Sequence, residues 1–404
     1  MNIIDYLKWR GDLSLKVSPF NEVDNLCICG MFYTRFDYLF EKKKSYTLAQ
    51  LSNAFFETHY EKDLLKDDTF IATAPFILKL MGESTRFKDA KIHSFKSYKS
   101  DKENVQFAAA SVDLSDGTTY IIYRGTDDSL TGWSESFYFT YKYMPTHKLA
   151  VDYLKKNIKP LKRYRIGGHS KGGTLATYAV MNCPGISKHI VQIYSNDGPG
   201  LKENLLPKNY KETFKKIKDK YCFIVPEFDF FGTIFPFTKQ TSVIKSNGFA
   251  ILQHDYSTWQ VERDHFVKGE LNYNSKLIKK ALKDFFDNIT DEQLELFVDE
   301  LKKACEDAGL TSIKSLSSQI VPVLSIVIKK LPKLDDNSRQ VIANLIKAFV
   351  IDYKEEMNED VNVLINRLIL KSKDLSKDVK KKAIGIKKDV TKKAKTILSK
   401  KQSS

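Results

Sequence analysis

The chain has 404 residues, 42% hydrophobic and 12% aromatic, a globular composition that excludes a largely disordered protein. Its formal charge of +15 would suggest a polyanionic partner if it were evenly spread. Residues 371–404, however, hold 13 Lys against 3 Asp, a net +10 that leaves about +5 for the first 370 residues, so the basic character belongs to the tail.

The first hundred residues read as helices and connections, with an amphipathic piece around 47–58. Two apolar, strand-like runs follow, NVQFAAASVDL and TTYIIYRG, separated by Ser115-Asp116-Gly117, an Asp-Gly hairpin signal. A helical stretch near 147–157 leads to a short strand at 163–167, a small-residue helix at 172–181 and a strand at 189–194. After a charged helix come further strand-like runs at 221–225 and 242–245. Strands alternating with helices from about 104 to 270 predict an α/β fold with a mostly parallel sheet covered on both faces.

Beyond about residue 273 the strand signals stop. Thr290-Asp-Glu-Gln293 is a capping box opening a helix that ends near Gly309, and helical periodicity returns over 338–357. In the last stretch Leu375, Val379, Ala383, Ile386, Val390, Ala394 and Ile397 trace one apolar stripe with lysines over the remainder. One boundary near 273 therefore divides a domain of residues 1–273 from a helical extension, 274–404, with no internal repeat. The five cysteines, Cys27, Cys29, Cys183, Cys222 and Cys305, are odd in number and irregularly spaced, which argues for free thiols over a disulfide framework or a zinc site. The start, MNIIDYLKWRGDL, lacks the basic-then-apolar pattern of a secretory signal, and the longest strongly apolar run, 320–328, contains Pro322 and is far short of the ~20 residues a membrane span needs. A cytoplasmic location is the expectation.

The chemistry concentrates at Gly168-His169-Ser170-Lys171-Gly172, a G-x-S-x-G motif expected about 0.1 times by chance in a chain this long. Such a motif places a serine on a sharp strand-to-helix turn, so that its hydroxyl projects above the sheet. Small residues two before and two after let strand and helix pack closely. The positive end of the following helix faces a developing oxyanion, to which the Lys171 N–H would donate. A second donor is needed from an earlier strand end. Tyr120-Ile-Ile-Tyr-Arg-Gly-Thr126 offers Thr126, with Gly125 permitting close approach.

YRGTDDSLTGW followed by GGHSKGGTLA resembles the class 3 lipases, in which an aromatic-Arg-Gly-Ser/Thr segment supplies an oxyanion donor upstream of a G-H-S-x-G elbow. DYLKWRGDLSLKVSPFNEVDNL, YSNDGPG and LQHDYSTWQV are similar to a bacterial family of α/β-hydrolases related to those lipases. The resemblance spans about residues 1–270 and implies an α/β-hydrolase fold with a hydrolase-type site. It does not extend over 274–404 and supplies no substrate.

In this fold the order along the chain is Ser, acid, His. His189 lies too soon after Ser170, at a strand start. His254 follows a late strand at the expected place and matches the QHD segment of the resembling family, and His265 lies eleven residues further on in polar surroundings. His254 is the preferred base. For the acid, Asp197 ends the 189–194 strand in Asn-Asp-Gly-Pro-Gly, which is also simply a good turn. Asp229 follows the next strand, the commoner acid position in the fold, and Glu227 is a third candidate. Class 3 lipases place an Asp three residues before the proline of a D-x-V-P segment, where this chain has Phe223. The closer family includes the 197 position in a D-G-P-G motif, so Asp197 is preferred with Asp229 open.

The reading at this level is a serine hydrolase of carboxylic esters, with Ser170 as nucleophile, His254 as base, Asp197 as acid, and Lys171 and Thr126 lining the oxyanion hole, needing no metal or organic cofactor. An acyltransferase, thioesterase or peptidase would use the same residues, and a non-enzymatic scaffold working through its helical end is a third reading. The Lys-rich tail suits an anionic membrane surface. Its stripe lacks Trp and Phe, so it equally suits a solvated or packed helix or a partner helix. The absence of interleaved aromatics and arginines speaks against nucleic acid.

Overall fold

Strong local capping signals start the chain. Asn2, Asn21 and Thr47 each accept from first-turn N–H groups, while Asp5, Asp24 and Gln50 reach back to the cap backbone. They open α1 (Ile3–Arg10), α2 (Glu22–Met31) and, after a short α3 (Leu39–Lys42) and strand β1 (Ser45–Thr47), α4 (Leu48–Phe56). Short α5 (Glu61–Leu64) and α6 (Ala74–Glu83) complete this helical layer. The chain continues through β2 (Lys91–Ser100), β3 (Val105–Asp113), β4 (Thr118–Tyr123), α7 (Leu130–Tyr141), α8 (Pro145–Asn157), β5 (Arg163–His169), α9 (Lys171–Met181), β6 (Ile190–Asn196), α10 (Tyr210–Ile217), β7 (Tyr221–Pro226) and β8 (Ser242–Ile244). A small hairpin, β9 (Val261–Glu262) with β10 (His265–Phe266), precedes α11 (Asp291–Asp307). The computed structural model describes residues 1–307 apart from 68, 101, 104, 128, 129, 249 and parts of 272–289. The helical periodicity expected over 338–357 and the lysine-bordered stripe of 375–397 lie outside the described residues.

The eight main strands lie in chain order across one sheet, antiparallel from β1 to β4 and parallel from β4 to β8. Because every parallel step moves the same way, right-handed crossovers put α8, α9 and α10 on one face. The other face is left for the amino-terminal helices. Alternation along the strands confirms this: Ala108, Ala110, Tyr120 and Ile122 pack with α1, α2, α4 and α6. Their neighbours Phe107, Ala109, Ile121 and Tyr123 pack with α8 and α9.

The reading of the first hundred residues as helices and connections is corrected by β1 and β2. The β2 strand pairs with β3 along its whole length, but a bulge between His93 and Lys96 breaks its alternation. Its side chains are mostly exposed, so the period-2 pattern that reveals a strand is absent. The Asp-Gly hairpin forms as expected between β3 and β4, with Gly117 at φ +81°. The helical layer is anchored by a buried ion pair. Arg86 Nε donates to Asp24 Oδ1 at 2.7 Å, Tyr6 donates to the same oxygen at 2.8 Å, and the guanidinium also reaches the carbonyls of Leu13, Ser18 and Pro19. Every arm of the charge is thus satisfied, as burial demands.

The capping box at Thr290 and Gln293 forms, with the Thr290 N–H donating to Gln293 Oε1 at 3.0 Å and the Gln293 N–H to Thr290 Oγ1 at 3.3 Å. It opens α11, which lies against α7: the Tyr138 hydroxyl donates to Asp299, and Lys142 pairs with Glu295 at 3.1 Å. Lys202 Nζ also meets Asp291 at 2.7 Å. Among the described residues no helix is long and apolar enough to cross a membrane. Cys27, Cys29, Cys183 and Cys222 are free thiols.

Candidate active site

The elbow serine sits between β5 and α9. Ser170 has φ +56° and ψ −133°, a conformation L-residues avoid, and its N–H donates to the Asn196 carbonyl at 2.9 Å. Tight packing imposes the turn. A Cβ on Gly172 would overlap the carbonyl oxygen of Tyr123 at the end of β4, and one on Gly125 would overlap the Tyr33 hydroxyl and the His169 carbonyl. The β4 exit therefore lies directly against the elbow, and both glycines are required by close approach. Thr126, on that exit, is buried and its hydroxyl is hydrogen-bonded to Ser136 of α7. Lys171 opens α9, where a backbone N–H has no intrahelical acceptor.

His254 ends a 3-10 turn, Ala250–His254, and its ring approaches Asp197: Nδ1 lies 2.6 Å from Asp197 Oδ2. The carboxyl is an acceptor there, so Nδ1 carries the hydrogen and Nε2 is left with its lone pair. Asp197 stands at the end of β6 with φ +49°, its N–H tied to the Ile224 carbonyl at 2.7 Å and its Oδ1 accepting from the Gly232 N–H at 3.2 Å. Burial lowers the His254 pKa to about 3, which keeps the imidazole neutral. Burial raises that of Asp197, while hydrogen bonds from the Gly232 N–H and the Asp229 side chain pull it back.

The segment carrying His254 is pinned on both sides. Trp259 Nε1 donates to the Gln253 carbonyl at 2.8 Å, and Gln253 Oε1 accepts from the Phe228 N–H at 2.9 Å. Asp255 caps the next turn by accepting from the Ser257 N–H at 2.9 Å, so the Asp of the QHD segment is structural. The His254 ring packs on Phe231 at 4.1 Å between centroids and faces His169 at 4.6 Å. Exposure is graded, 9% at Ser170 and 8% at His254 against 1% at Asp197, so the serine and the imidazole meet solvent and the carboxyl does not.

The structure brings His254 and Asp197 into contact and sets Ser170 on the neighbouring strand end. Among the described residues Ser170 Oγ has no hydrogen-bond partner, and such bonds often tighten only when substrate is bound. His189 lies at the opposite end of β6, and His265 is exposed in the β9–β10 hairpin beside Asp264. Glu227 lies against Gly269. The carboxyl on the imidazole is that of Asp197, and Asp229 stands beside it, the two Oδ1 atoms converging on Gly232. Sequence reasoning missed Tyr33 and Glu135. Tyr33 donates to His169 Nδ1 at 3.0 Å, and Glu135 pairs with the buried Lys171 side chain at 2.6 Å. Neither stands near the elbow in sequence, and no local pattern marks either. Among the described residues no group of three or more His, Cys, Asp or Glu side chains is arranged to hold a metal ion.

A family model described as Mbeg1-like matches residues 81–303. The chain belongs to the Mbeg1-like family. This is a lipase-like family, and the match takes in β2 through most of α11, including Ser170, Asp197 and His254. It thus crosses residue 273, where the strand signals stop, and begins after most of the amino-terminal helical layer. No curated protein and no solved structure matches the chain.

Proposed function

We propose that the protein is a serine hydrolase that cleaves carboxylic esters through an acyl-enzyme, related in its site to the class 3 lipases. The observation that carries this reading is the strained Ser170 elbow one strand away from a buried His254–Asp197 pair with a 2.6 Å Nδ1–Oδ2 separation. An incidental serine on a glycine-rich turn has no need of a left-handed backbone conformation one strand away from an imidazole–carboxyl pair.

Ser170 Oγ adds to the ester carbonyl carbon while its proton passes to His254 Nε2, and the carbonyl π pair moves onto oxygen. The backbone N–H groups of Lys171 and Thr126 receive that oxyanion. Collapse breaks the carbon–alkoxide bond, and the alcohol leaves with the proton held by His254. Water then repeats the sequence on the acyl-serine: His254 takes its proton, the carboxylic acid departs, and Ser170 regains its hydrogen. Asp197 accepts from Nδ1–H throughout and stabilises the imidazolium when it forms.

A fluorophosphonate probe should label the wild-type protein and leave Ser170→Ala protein unlabelled. Equal labelling of both, or of neither, removes Ser170 as the nucleophile. Release of p-nitrophenol from esters of increasing acyl length then separates an esterase from a thioesterase, acyltransferase or peptidase using the same residues.

A further inference from the structure

Two carboxyl groups meet behind the imidazole. Gly232 marks their approach, since a Cβ built on it would stand 3.0 Å from Asp197 Oδ1 and 3.0 Å from Asp229 Oδ1. Both Oδ1 atoms thus converge on the same face of Gly232, and a hydrogen bond between the two carboxyls requires one proton between them, because a carboxylate can only accept. Both residues are buried. The remaining partners apportion the proton. Asp197 already receives the Gly232 N–H at 3.2 Å and His254 Nδ1 at 2.6 Å. Asp229 receives the Thr233 N–H on Oδ1 at 3.0 Å, and its backbone N–H is fixed by Ser275 Oγ at 3.2 Å. Asp197 is thus the better-solvated anion.

We propose that Asp229 is a positioning residue: it holds the single proton of the carboxyl pair and donates it to Asp197, fixing the acid that orients His254. The proposal rests on the reading of Ser170, His254 and Asp197 as a triad. Two carboxyls this close in a dry site cannot both ionise. Burial and the neighbouring Asp197 charge push Asp229 well above the usual carboxylate range, opposed by Lys279 and the Thr233 N–H. Among the described residues the titratable groups acting on Asp229 are Asp197 from β6 and Lys279, with His254 on Asp197. The Asp229 carboxyl serves Asp197 as a third donor with no charge of its own, leaving the imidazole one anion to face. When alkali removes the shared proton, the two anions repel and the hydrogen bond that steadies Asp197 is lost.

The test is Asp229→Asn, which puts an amide N–H where the carboxyl O–H was and keeps an oxygen for the Thr233 N–H. With p-nitrophenyl acetate at pH 7, D229N should retain kcat/KM within about threefold, whereas Asp229→Ala should lower kcat on the order of tenfold with little change in KM. The wild-type rate should fall at alkaline pH and the D229N rate should not. Independently of turnover, an infrared difference spectrum of wild type minus D229N at pH 7 should contain the carbonyl stretch of a protonated carboxyl. Absence of that band, or a folded D229N as slow as D229A, overturns the proposal. If the band is present but the wild type neither hydrolyses the ester nor takes the fluorophosphonate label, the triad reading fails and the positioning role falls with it.

Discussion

His169 Nε2 lies 2.9 Å from the backbone carbonyl oxygen of His254, and its Nδ1 lies 3.0 Å from the Tyr33 hydroxyl. A carbonyl only accepts, so Nε2 carries the hydrogen and Nδ1 receives the Tyr33 O–H. Burial and the neighbouring His254 hold the His169 ring neutral, with a pKa well below the usual histidine range. The residue preceding the elbow serine thereby ties the His254-bearing segment to the elbow. On the proposed mechanism, replacing His169 with Phe should lower kcat by about tenfold or more at unchanged KM, because His254 loses its register with Ser170. Gln, which retains an N–H donor, should recover part of the loss. Steady-state kinetics of the two variants decide it, and a His169→Phe enzyme with wild-type kcat would dissolve the link.

Acid should cost this protein stability before it costs the charge state of the site. Burial holds His147 at about 4 and His254 at about 3 in the folded chain, whereas an unfolded histidine titrates near 6.5. Below pH ~6.5 the unfolded state therefore binds protons that the native state refuses, and stability falls as pH drops towards those folded values. For His147 alone the loss between about pH 6.5 and 4 is on the order of 3 kcal/mol. The protonated Asp229 carboxyl acts in the opposite sense over the same range, so the readout is the comparison of two proteins: between denaturant melts at pH 7.5 and 5, His147→Gln protein should gain stability relative to wild type. Midpoints of the two proteins that move in parallel with pH would contradict the buried, neutral state of the His147 ring.

Lys171 is fully buried, its Nζ 2.6 Å from Glu135 Oε2 of α7 and 2.7 Å from the Gln106 carbonyl of β3. Gln106 also donates from its side chain to Asp127 at 2.7 Å. One buried ion pair thus ties the elbow, the β4 exit and α7 into a single unit. Removing one partner strands a charge: Glu135→Leu or Lys171→Met alone should destabilise the fold by about 3–5 kcal/mol. The double variant, which buries no charge, should recover most of that. Urea midpoints of the three proteins measure it, and additive losses in the double variant would mean the two side chains act independently.

The capping box on α11 gives a local test. Thr290→Ala removes the acceptor for the Gln293 N–H and should weaken the helix by about 1 kcal/mol. Amide exchange should accelerate over 291–307 and spread to α7, which α11 contacts through Tyr138–Asp299 and Lys142–Glu295. Exchange in β5 and β6 should stay unchanged. Faster exchange across the whole sheet would show that α11 is an integral part of the core.

Short-range signals determined a good deal here. The elbow at 168–172, the Asp-Gly hairpin and the Thr290 capping box are each written within a few residues, because their geometry is set by local backbone sterics and short hydrogen bonds. The alternating strands from β3 onward were legible for the same reason, whereas β2 was hidden by its bulge and its exposure. Asp197 and Asp229 are different. Their local sequences make either a fair acid, and only the folded chain sets His254 Nδ1 on Asp197 with Asp229 behind it. Tyr33 and Glu135 are 137 and 35 positions from the serine in sequence, and neither lies in a pattern that names its partner. Which side chains share a dry pocket depends on strand order and on what covers each face of the sheet, and no local pattern encodes a contact made across such a separation.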